Sequence, residues 1–230
     1  MRTSQIRARA DRIRSTKQQE NYGSLREQAY ERIKHCILTH AFQPGEYLNE
    51  AQVTEIVGIG RTPVHQAFDR LRLEGLVDVL PRKGIVVRSV SLSEVVQLIP
   101  VRIANERLCA RLAATLASAA DIDRLTGILE QAEVATEERA TEKLVMLDRD
   151  FHAVLARASQ NTILEDVLSK LHERGLRFWF LSLTAQEQRK AVQREHADIV
   201  EAIRARDPDA AEEAVRRHIE SFHSSVTRMI

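Results

Sequence analysis

An aspartate and three histidines have the spacing that most directly suggests chemistry. Asp148 and His152 are four residues apart, so on a helix they share one face. His196 and His218 each lie eleven residues from Asp207, one before it and one after it. If the chain turns back at Asp207 as a helical hairpin, both imidazoles stand at one level, about 16 Å from the turn. One carboxylate and three imidazoles are a plausible ligand set for a divalent transition metal such as Zn, Ni or Mn.

Spacing alone leaves a second interpretation of these histidines open. A histidine on a helix is often an ordinary surface residue, or a core residue whose ring nitrogens are satisfied by hydrogen bonds. The sequence by itself does not choose between this interpretation and a metal site. Four further histidines lack comparable partners in the sequence and are assigned no role: His35, His40, His172 and His223.

Long helices are predicted to position these side chains. Past Ser89 the apolar residues recur at helical spacing, with breaks at "SQN" and "RDPD". Ser91 and Glu94 have the spacing of a capping box, and Pro100 is expected to kink the first helix. The predicted helices cover approximately residues 91–118, 121–138, 141–158, 161–183, 185–206 and 208–229. Six helices over about 140 residues predict an antiparallel bundle.

The stretch "GIGRTPVHQAFDRLRLEG", residues 58–75, raises a different possibility. A phosphate-binding loop would follow a strand and carry Gly-Lys-Ser/Thr or a third spaced glycine. Here a helix is predicted before the glycines, so Gly58 and Gly60 are interpreted as a turn. Thr62 is expected to cap the next helix, with Pro63 at its first position and Gly75 at its end. Its buried stripe is predicted to be Val64, Ala67, Phe68 and Leu71.

The surrounding sequence predicts a winged helix-turn-helix. A first helix is expected to begin at Ser24, with Glu27 at the capping-box position, and a second helix at Asn49. After Gly75, the segments "LVDVL" and "GIVV" are predicted to be two strands joined by residues 81–84. Residues suited to major-groove or backbone contact then lie on the third helix and on the hairpin: Arg61, Thr62, His65, Gln66, Arg82 and Lys83. The alternative is a solvated face on a helix that only packs.

The charge distribution agrees with a polyanionic partner for the N-terminal part. Residues 1–90 contain 15 Lys and Arg against 10 Asp and Glu, whereas residues 91–230 contain 19 against 23. Six of the basic residues fall in residues 1–17, and residues 1–20 are predicted to be a flexible basic arm. The arm either contacts DNA or is simply solvated.

Composition limits the remaining classes. Aromatic residues make up 4% of the chain, which favours helix packing over a sandwich or barrel. No apolar run approaches the ~20 residues that a membrane helix needs, so we expect no membrane partner. The arginine-rich N-terminus has no apolar segment after it and does not resemble a secretory signal. Cys36 and Cys109 are expected to be reduced, which predicts a cytoplasmic protein.

Residues 25–88 resemble the DNA-binding domain of GntR-type bacterial regulators. The family pattern Ser-Arg-Thr-Pro-Val-Arg-Glu-Ala-Leu corresponds to "GRTPVHQAF" at residues 60–68. The pattern Leu-Glu-x-Glu-Gly-Leu-Val corresponds to "LRLEGLV" at residues 71–77, and a glycine-ended wing follows. The resemblance implies a winged helix-turn-helix that binds double-stranded operator DNA.

The resemblance also implies which residues touch DNA and where this chain departs from the family. It implies contacts at Arg61, at His65 and in the wing near Gly84. His65 and Gln66 stand where the family pattern has arginine and glutamate, and Ala51 where some members have arginine. These departures predict a changed operator sequence and weaker phosphate binding, for which the basic arm could compensate.

Residues 93–228 are similar to the FCD ligand-binding domain of the FadR subfamily. The matching segments are Arg102-x-x-x-Glu106, Asp148-x-x-Phe151-His152, Asn161 after "SQ", Glu195-His196 and Arg217-His218-Ile219. Metal-binding members use an aspartate and three histidines at the positions of Asp148, His152, His196 and His218. The resemblance therefore implies a metal that helps to hold a small carboxylate effector inside the bundle.

Several side chains are candidates for contacting that effector. Arg102 could bind the carboxylate with two nitrogens, or it could form an ion pair with Glu106 four residues on. The sequence favours neither of these two roles over the other. Arg149, Arg174 and Trp179 are weaker candidates for the pocket.

Taken together, these patterns predict a mainly α ligand-responsive transcriptional regulator. We expect a winged helix-turn-helix over residues 21–89 and an all-helical effector, metal and dimerisation domain over residues 90–230. A homodimer would bind a near-palindromic site, most often as a repressor in this family. Two alternatives are kept: a metal sensor, in which the ion itself is the signal, and a metal-dependent hydrolase. The hydrolase is disfavoured because the sequence has no His-Glu-x-x-His and no evident base beside the metal ligands.

Overall fold

The chain folds into two compact units that meet in sequence at residues 90 and 91. The computed structural model describes residues 23–80, 84–89, 91–182 and 186–227. The predicted basic arm at residues 1–20, Arg82 and Lys83 lie outside the described residues, as does the side chain of Trp179.

The N-terminal unit combines three helices with a small antiparallel sheet. Within the described residues its elements are α1 (Leu25–Leu38), β1 (Tyr47–Leu48), α2 (Glu50–Val57), α3 (Arg61–Leu73), β2 (Val77–Leu80) and β3 (Gly84–Val87). The sheet order is β1-β3-β2, with Val77 opposite Val87 and Leu80 opposite Gly84. The two predicted strands are therefore present, and the short β1 adds a third strand that the sequence interpretation did not include.

Caps and turn glycines define where these helices begin and end. The Ser24 side chain accepts a hydrogen bond from the Glu27 amide, and Asn49 accepts one from Ala51. Gly58 ends α2 with a φ of 69°, in the left-handed region that glycine adopts without steric penalty. Gly75, with a φ of 73°, follows α3 in the same way.

Apolar side chains from all three helices and the sheet form one core in this unit. Phe42, Phe68 and Leu76 are at most 1% exposed. Together with the inward faces of α1 and α2 they hold α3 against the sheet. Burial on this scale stabilises a small domain mainly through the hydrophobic effect, at ~25 cal/mol per Å² of apolar surface.

The C-terminal unit is a bundle of long helices. Its six described helices are α4 (Leu92–Leu116), α5 (Ala119–Glu137), α6 (Thr141–Ala158), α7 (Thr162–Ser182), α8 (Gln186–Arg204) and α9 (Pro208–Thr227). Only two to three residues separate each helix from the next, which is typical of antiparallel neighbours in a bundle. The six predicted helices are all present, and within the described residues their ends differ from the predicted ends by at most two residues.

The caps of this unit differ in part from the prediction. Ser91 precedes α4, but its side chain makes no cap hydrogen bond with the described residues. The complete capping box instead opens α5, where Ser118 and Asp121 bond each other's backbone amides. At the far end of α4, Arg206 donates hydrogen bonds to the carbonyls of Ala114 and Ala117 and so satisfies two terminal acceptors.

Two general features of the described residues bear on the predicted class. None of the described helices has the length and the apolar character needed to cross a membrane. Cys36 and Cys109 are both buried, and neither forms a disulfide. Burial raises the pKa of the Cys109 thiol to about 12, so this cysteine is a core residue rather than a reactive thiolate.

Candidate nucleic-acid interface and metal centre

Helix α3 of the N-terminal unit has one buried and one exposed face. Val64, Ala67, Phe68 and Leu71 are at most 1% exposed, as the hydrophobic periodicity predicted. The opposite face presents side chains that are all exposed: Arg61, Thr62, His65, Gln66 and Asp69. The side chains predicted to contact DNA on this helix are therefore accessible and lie next to one another.

The first turn of α3 differs from the predicted cap. The helix begins at Arg61, and Gly60 is the N-cap residue, so Thr62 is the second helical residue and Pro63 the third. The prediction that Thr62 caps the helix is thus wrong, because the turn at Gly58 and Gly60 sets the helix start two residues earlier than expected. No side-chain cap hydrogen bond satisfies this helix start within the described residues. Such a helix start favours an anion, and a DNA phosphate is one.

His65 is tied to the helix that precedes it. Its Nδ1 lies 2.9 Å from Oε1 of Glu50 on α2, and its Nε2 lies 3.8 Å from Oδ2 of Asp69. The hydrogen bond to Glu50 and the charges of Glu50 and Asp69 raise the pKa of His65 above its ordinary value. The imidazole is therefore held between two acids on an exposed surface, where it can carry a positive charge.

Gly84 opens β3 at the base of the predicted wing. Its φ is 96°, and a Cβ built on it would lie 3.2 Å from the carbonyl oxygen of Leu48. A side chain at this position would thus be strained and crowded. Gly84 is therefore required by the backbone conformation of the turn. The neighbouring candidates Arg82 and Lys83 are outside the described residues.

A polar network that the sequence interpretation missed anchors the C-terminal end of α3. The Tyr30 hydroxyl lies 2.8 Å from both carboxylate oxygens of Glu74, and Lys34 Nζ lies 3.3 Å from one of them. Lys34 is only 2% exposed. Arg70 packs its guanidinium over the Tyr30 ring at 3.5 Å and pairs with Glu27 at 3.1 Å. Helix α1 thereby fixes the direction of α3.

In the C-terminal unit, the four predicted metal ligands come together. Asp148 and His152 lie on α6, His196 on α8 and His218 on α9, and each is at most 8% exposed. One donor atom from each residue lies within 4.8 Å of the donors of the others. Two atoms bound to one ion at ~2.1 Å can lie at most ~4.2 Å apart, so a small contraction would suffice.

Carboxylates outside the four ligands lie beside two of the imidazoles. Glu195 Oε2 forms a 2.9 Å hydrogen bond with Nδ1 of His218. Glu106 Oε2 lies 3.4 Å from Nδ1 of His152 and has no hydrogen-bond partner among the described residues. A carboxylate at one ring nitrogen fixes the tautomer and directs the other nitrogen, Nε2, towards a metal. Phe151 stacks on His196 with ring centroids 4.0 Å apart and so constrains the third ring.

Several donor atoms of the cluster lack hydrogen-bond partners among the described residues. They are Oδ1 of Asp148, Nε2 of His152 and Nε2 of His196, all with almost no accessible surface. Buried polar atoms are usually paired, because an unpaired one costs about 1–3 kcal/mol. Three unpaired donors that converge on one point fit a bound cation, so the residues present suit the predicted metal.

The charges of the cluster also suit a cation. Burial opposes the ionisation of Asp148, but the nearby His172, His152 and His196 outweigh it and hold the pKa of this carboxyl below its ordinary value. Burial lowers the pKa of His196 well below its ordinary value, and that of His172 to about 4. These two imidazoles are therefore neutral near pH 7, and a neutral imidazole is the form that ligates metals.

Arg102 forms the ion pair that the sequence left as one of two options. Its Nε lies 2.5 Å from Oε1 of Glu106, and both residues are 4% exposed. Burial opposes the charge on Glu106, but Arg102 and His152 together hold its pKa well below the ordinary value. Arg102 also lines a cavity with Asp148 and His152. The hydrogen bond uses Nε, which leaves the terminal nitrogens of the guanidinium for a second partner.

The weaker effector candidates are placed less favourably. Arg149 lies 4.0 Å from Glu173, and the structure does not include it among the residues that line the Arg102 cavity. Arg174 is exposed on α7 and is also not part of that lining. The side chain of Trp179 is outside the described residues.

Two site residues were missed by sequence reasoning. The sequence predicted Glu195 only as part of the pattern Glu195-His196. In the structure its carboxylate contacts His218 on α9. His172 received no role, yet it is 8% exposed and its ring lies 4.2 Å from that of His152. The sequence signal was its apolar environment, because Leu168 and Leu176, four residues before and after it, share its side of the helix.

Comparison with protein families assigns both units. Residues 25–87 match the family described as bacterial regulatory proteins of the gntR family, and residues 97–221 match the FCD domain. The second match alone covers more than half of the chain. This protein is a GntR-family regulator with an FCD domain.

Its relatives carry names that agree with this assignment. This protein is 28% identical over 197 residues to the HTH-type transcriptional repressor RspR of Escherichia coli. The alignment covers 86% of this chain and 85% of the relative. It is also 28% identical over 219 residues to the Glc operon transcriptional activator of the same species, covering 85% and 86%. The family thus includes repressors and activators of metabolic operons.

Solved structures support the fold. Escherichia coli McbR/YncC matches with a TM-score of 0.80 at 21% identity, covering 90% of this chain and 98% of that one. A GntR regulator from Rhodococcus matches with a TM-score of 0.74 at 17% identity, covering 89% and 98%. The mainly α architecture with a winged helix-turn-helix is therefore confirmed.

The family assignment establishes the general activity. GntR regulators bind DNA and FCD domains bind small-molecule effectors, with a metal in some members. The comparisons support a transcription regulator and not the hydrolase that was kept as an alternative.

Proposed function

We propose that this protein is a homodimeric repressor that senses a small carboxylate at a metal held in the FCD domain. One observation carries this proposal: three buried donor atoms without hydrogen-bond partners among the described residues converge beside the Arg102 cavity. A site of this kind combines a fixed positive charge with a guanidinium, and both attract a carboxylate.

The metal would be held by Asp148, His152, His196 and His218. One oxygen and three imidazole nitrogens suit Zn, Ni or Mn. When bound, the ion would supply a Lewis-acidic charge to which an acid can bind. Burial lowers the pKa of His196 and keeps this imidazole neutral, Glu195 orients His218, and Glu106 lies beside His152. The burial of all four ligands excludes water.

The acid would occupy the cavity lined by Arg102. The free space in this cavity is about 10 Å³, which is room for about one water molecule. The lining of the cavity also includes the apolar Leu176 and Phe222. Side chains that line the cavity would therefore have to move to admit an acid, and the charge of Arg102 favours a small carboxylate.

The DNA contacts would come from the exposed face of α3 and from the wing. Arg61 and Gln66 are suited to base edges, Thr62 and the helix start to a phosphate, and His65 to either. Arg82 and Lys83 of the wing are proposed to contact the DNA backbone or minor groove, and Gly84 to shape the turn beside them. Two copies of α3 in a dimer would read two half-sites one helical turn apart.

Exposed apolar side chains of the C-terminal unit support dimerisation. Val101 and Leu108 are 45% and 48% exposed and lie seven residues apart on the same side of α4. A second copy of the chain would bury them. Binding of the acid in one unit would then change operator affinity through a coupling of ~1–3 kcal/mol, which is a change of roughly 5- to 150-fold.

A screen of organic acids tests the proposed function. Metal-loaded and metal-free protein are each heated with a panel of two- to six-carbon acids, and the unfolding temperature is recorded. We expect at least one acid to raise it only in the metal-loaded protein, because binding stabilises the native state. Arg102→Lys, which keeps the charge but loses the two-nitrogen contact, should reduce the shift.

Operator binding separates the proposal from the metal-sensor alternative. The DNA is first selected from a random pool with purified protein. Affinity is then measured with metal alone, acid alone and both together. A full switch with metal alone would favour the metal sensor, whereas a change that needs the acid supports the proposal.

A further inference from the structure

A fourth buried imidazole, that of His172 on α7, lies next to the three imidazoles of the metal cluster. His172 is 8% exposed and lines the same cavity as Arg102 and Asp148. It is not one of the four residues whose donors lie within 4.8 Å of one another. Its role must therefore be read from its own contacts.

The two carboxylate oxygens of Asp148 face different partners. Oδ2 lies 3.2 Å from Nε2 of His172, whereas Oδ1 lies 3.5 Å from Nε2 of His196. Oδ1 has no hydrogen-bond partner among the described residues, and neither ring nitrogen of His172 has one in favourable geometry. At 3.2 Å, a modest turn of the His172 ring would complete a hydrogen bond to Oδ2.

We propose that His172 is a positioning residue that holds Oδ2 of Asp148 and thereby presents Oδ1 to the metal. The inference rests on the proposed metal site. Ligating carboxylates are commonly held by a donor at their second oxygen, since this fixes the orientation of the first. His172 would do for Asp148 what Glu195 does for His218.

The packing of α7 explains how His172 reaches this position. Gly175 lies three residues on, and a Cβ built on it would be only 3.3 Å from Nη1 of Arg102. The glycine thus allows α7 to approach the Arg102 side chain closely, and His172, on the same side of α7, is brought to Asp148. The geometry does not favour His172 as a metal ligand itself. Its Nε2 faces Oδ2 of Asp148, whereas the other oxygen, Oδ1, faces the ligand His196.

The test uses Co²⁺ alone, which reports both affinity and coordination through its visible absorption. Apo wild type, His172→Ala, His172→Gln and the control His223→Ala are each titrated. We expect His172→Ala to weaken Co²⁺ binding about 10- to 100-fold, the usual effect of losing such a support. The absorption of the saturated complex should keep the wild-type shape and intensity, because the protein ligands stay the same.

His172→Gln should restore affinity to within a few-fold of wild type, since its amide can donate to the same oxygen. It also provides the test if His172→Ala does not fold. Wild-type affinity in His172→Ala overturns the inference, and so does a saturated spectrum that shows one protein ligand fewer. Wild type that binds no Co²⁺ overturns the proposed metal site itself, which distinguishes the two failures.

Discussion

The two units of this protein bury charged side chains in opposite ways. In the N-terminal unit, Lys34 is 2% exposed, but Tyr30 and Glu74 surround it and the network is closed. In the FCD domain, Asp148 and His196 are buried to a similar degree, yet donor atoms of both lack hydrogen-bond partners among the described residues. A closed network orients a helix, whereas an open one leaves room for a ligand.

The same contrast shows where each unit meets its partner. The N-terminal unit presents unshielded polar side chains on the outer face of α3, where a duplex can reach them. The FCD domain keeps its unpaired donors inside the bundle, where only an ion or a small molecule fits. The location of unsatisfied polar groups therefore predicts the kind of partner.

Breaking the closed network should give the largest effect on stability. Glu74→Ala removes the carboxylate that pairs with the buried Lys34 ammonium and with the Tyr30 hydroxyl. We expect a loss of about 3 kcal/mol in the free energy of unfolding, as for other broken buried pairs. Urea denaturation measures it, with the exposed Asp69→Ala on the same helix as the control, which should change stability by less than about 0.5 kcal/mol. Equal effects in both variants would show that the network is not important.

Removing a charge from the exposed face of α3 tests the proposed DNA contacts of the N-terminal unit. Arg61→Ala should weaken operator binding by about 1–3 kcal/mol. It should also reduce the slope of log affinity against log salt concentration by about one. The control is Arg72→Ala, exposed in the last turn of the same helix, which should have a smaller effect. The readout is a fluorescence-anisotropy titration at several salt concentrations. Unchanged affinity in Arg61→Ala would exclude α3 as the reading helix.

The pair between His65 and Glu50 predicts a pH dependence of DNA binding. Because its pKa is raised, the contribution of charged His65 to folding is complete below its ordinary pKa and disappears as the pH rises through the raised value. The charged form also attracts DNA, so operator affinity should increase by up to about tenfold as the pH falls from 8 to 6. His65→Gln should remove most of this dependence. An identical pH profile in the variant would assign the effect to other groups.

The smallest expected effect is at the start of α3. Gly60 has an extended conformation with a φ of −62°, and a Cβ there meets nothing within 4 Å. Gly60→Ser should therefore add a cap hydrogen bond and a few tenths of a kcal/mol of stability. Thermal unfolding measures this gain. A loss of stability would mean that the helix start is strained by a side chain at this position.

Sequence reasoning predicted the elements well where local patterns decide them. The buried stripe of α3 follows from the spacing of Val64, Ala67, Phe68 and Leu71, and the six helices of the bundle from periodicity and breaks. The start of α3 was placed wrongly at Thr62, because a proline at residue 63 is accepted at the third helical position as well as the first.

Contacts between distant segments were harder to predict. Asp148 and His152 share a helix face because of their spacing. The contacts of Glu195 with His218 and of His172 with Asp148 depend instead on how α7, α8 and α9 pack. The same holds for Lys34 and Glu74, which are forty residues apart and pair only after α1 and α3 meet. Periodicity states which face of a helix is buried, and it does not state which buried polar groups will meet.

Metal titration of the apo-protein tests the central claim most directly. Zn²⁺, Ni²⁺ and Mn²⁺ are each titrated by calorimetry into wild type, His196→Ala and His223→Ala. The open cluster predicts one ion per chain for at least one of these metals, with binding lost or strongly weakened in His196→Ala and retained in His223→Ala. A wild type that takes up none of the three, or a His196→Ala variant with unchanged uptake, would contradict the account.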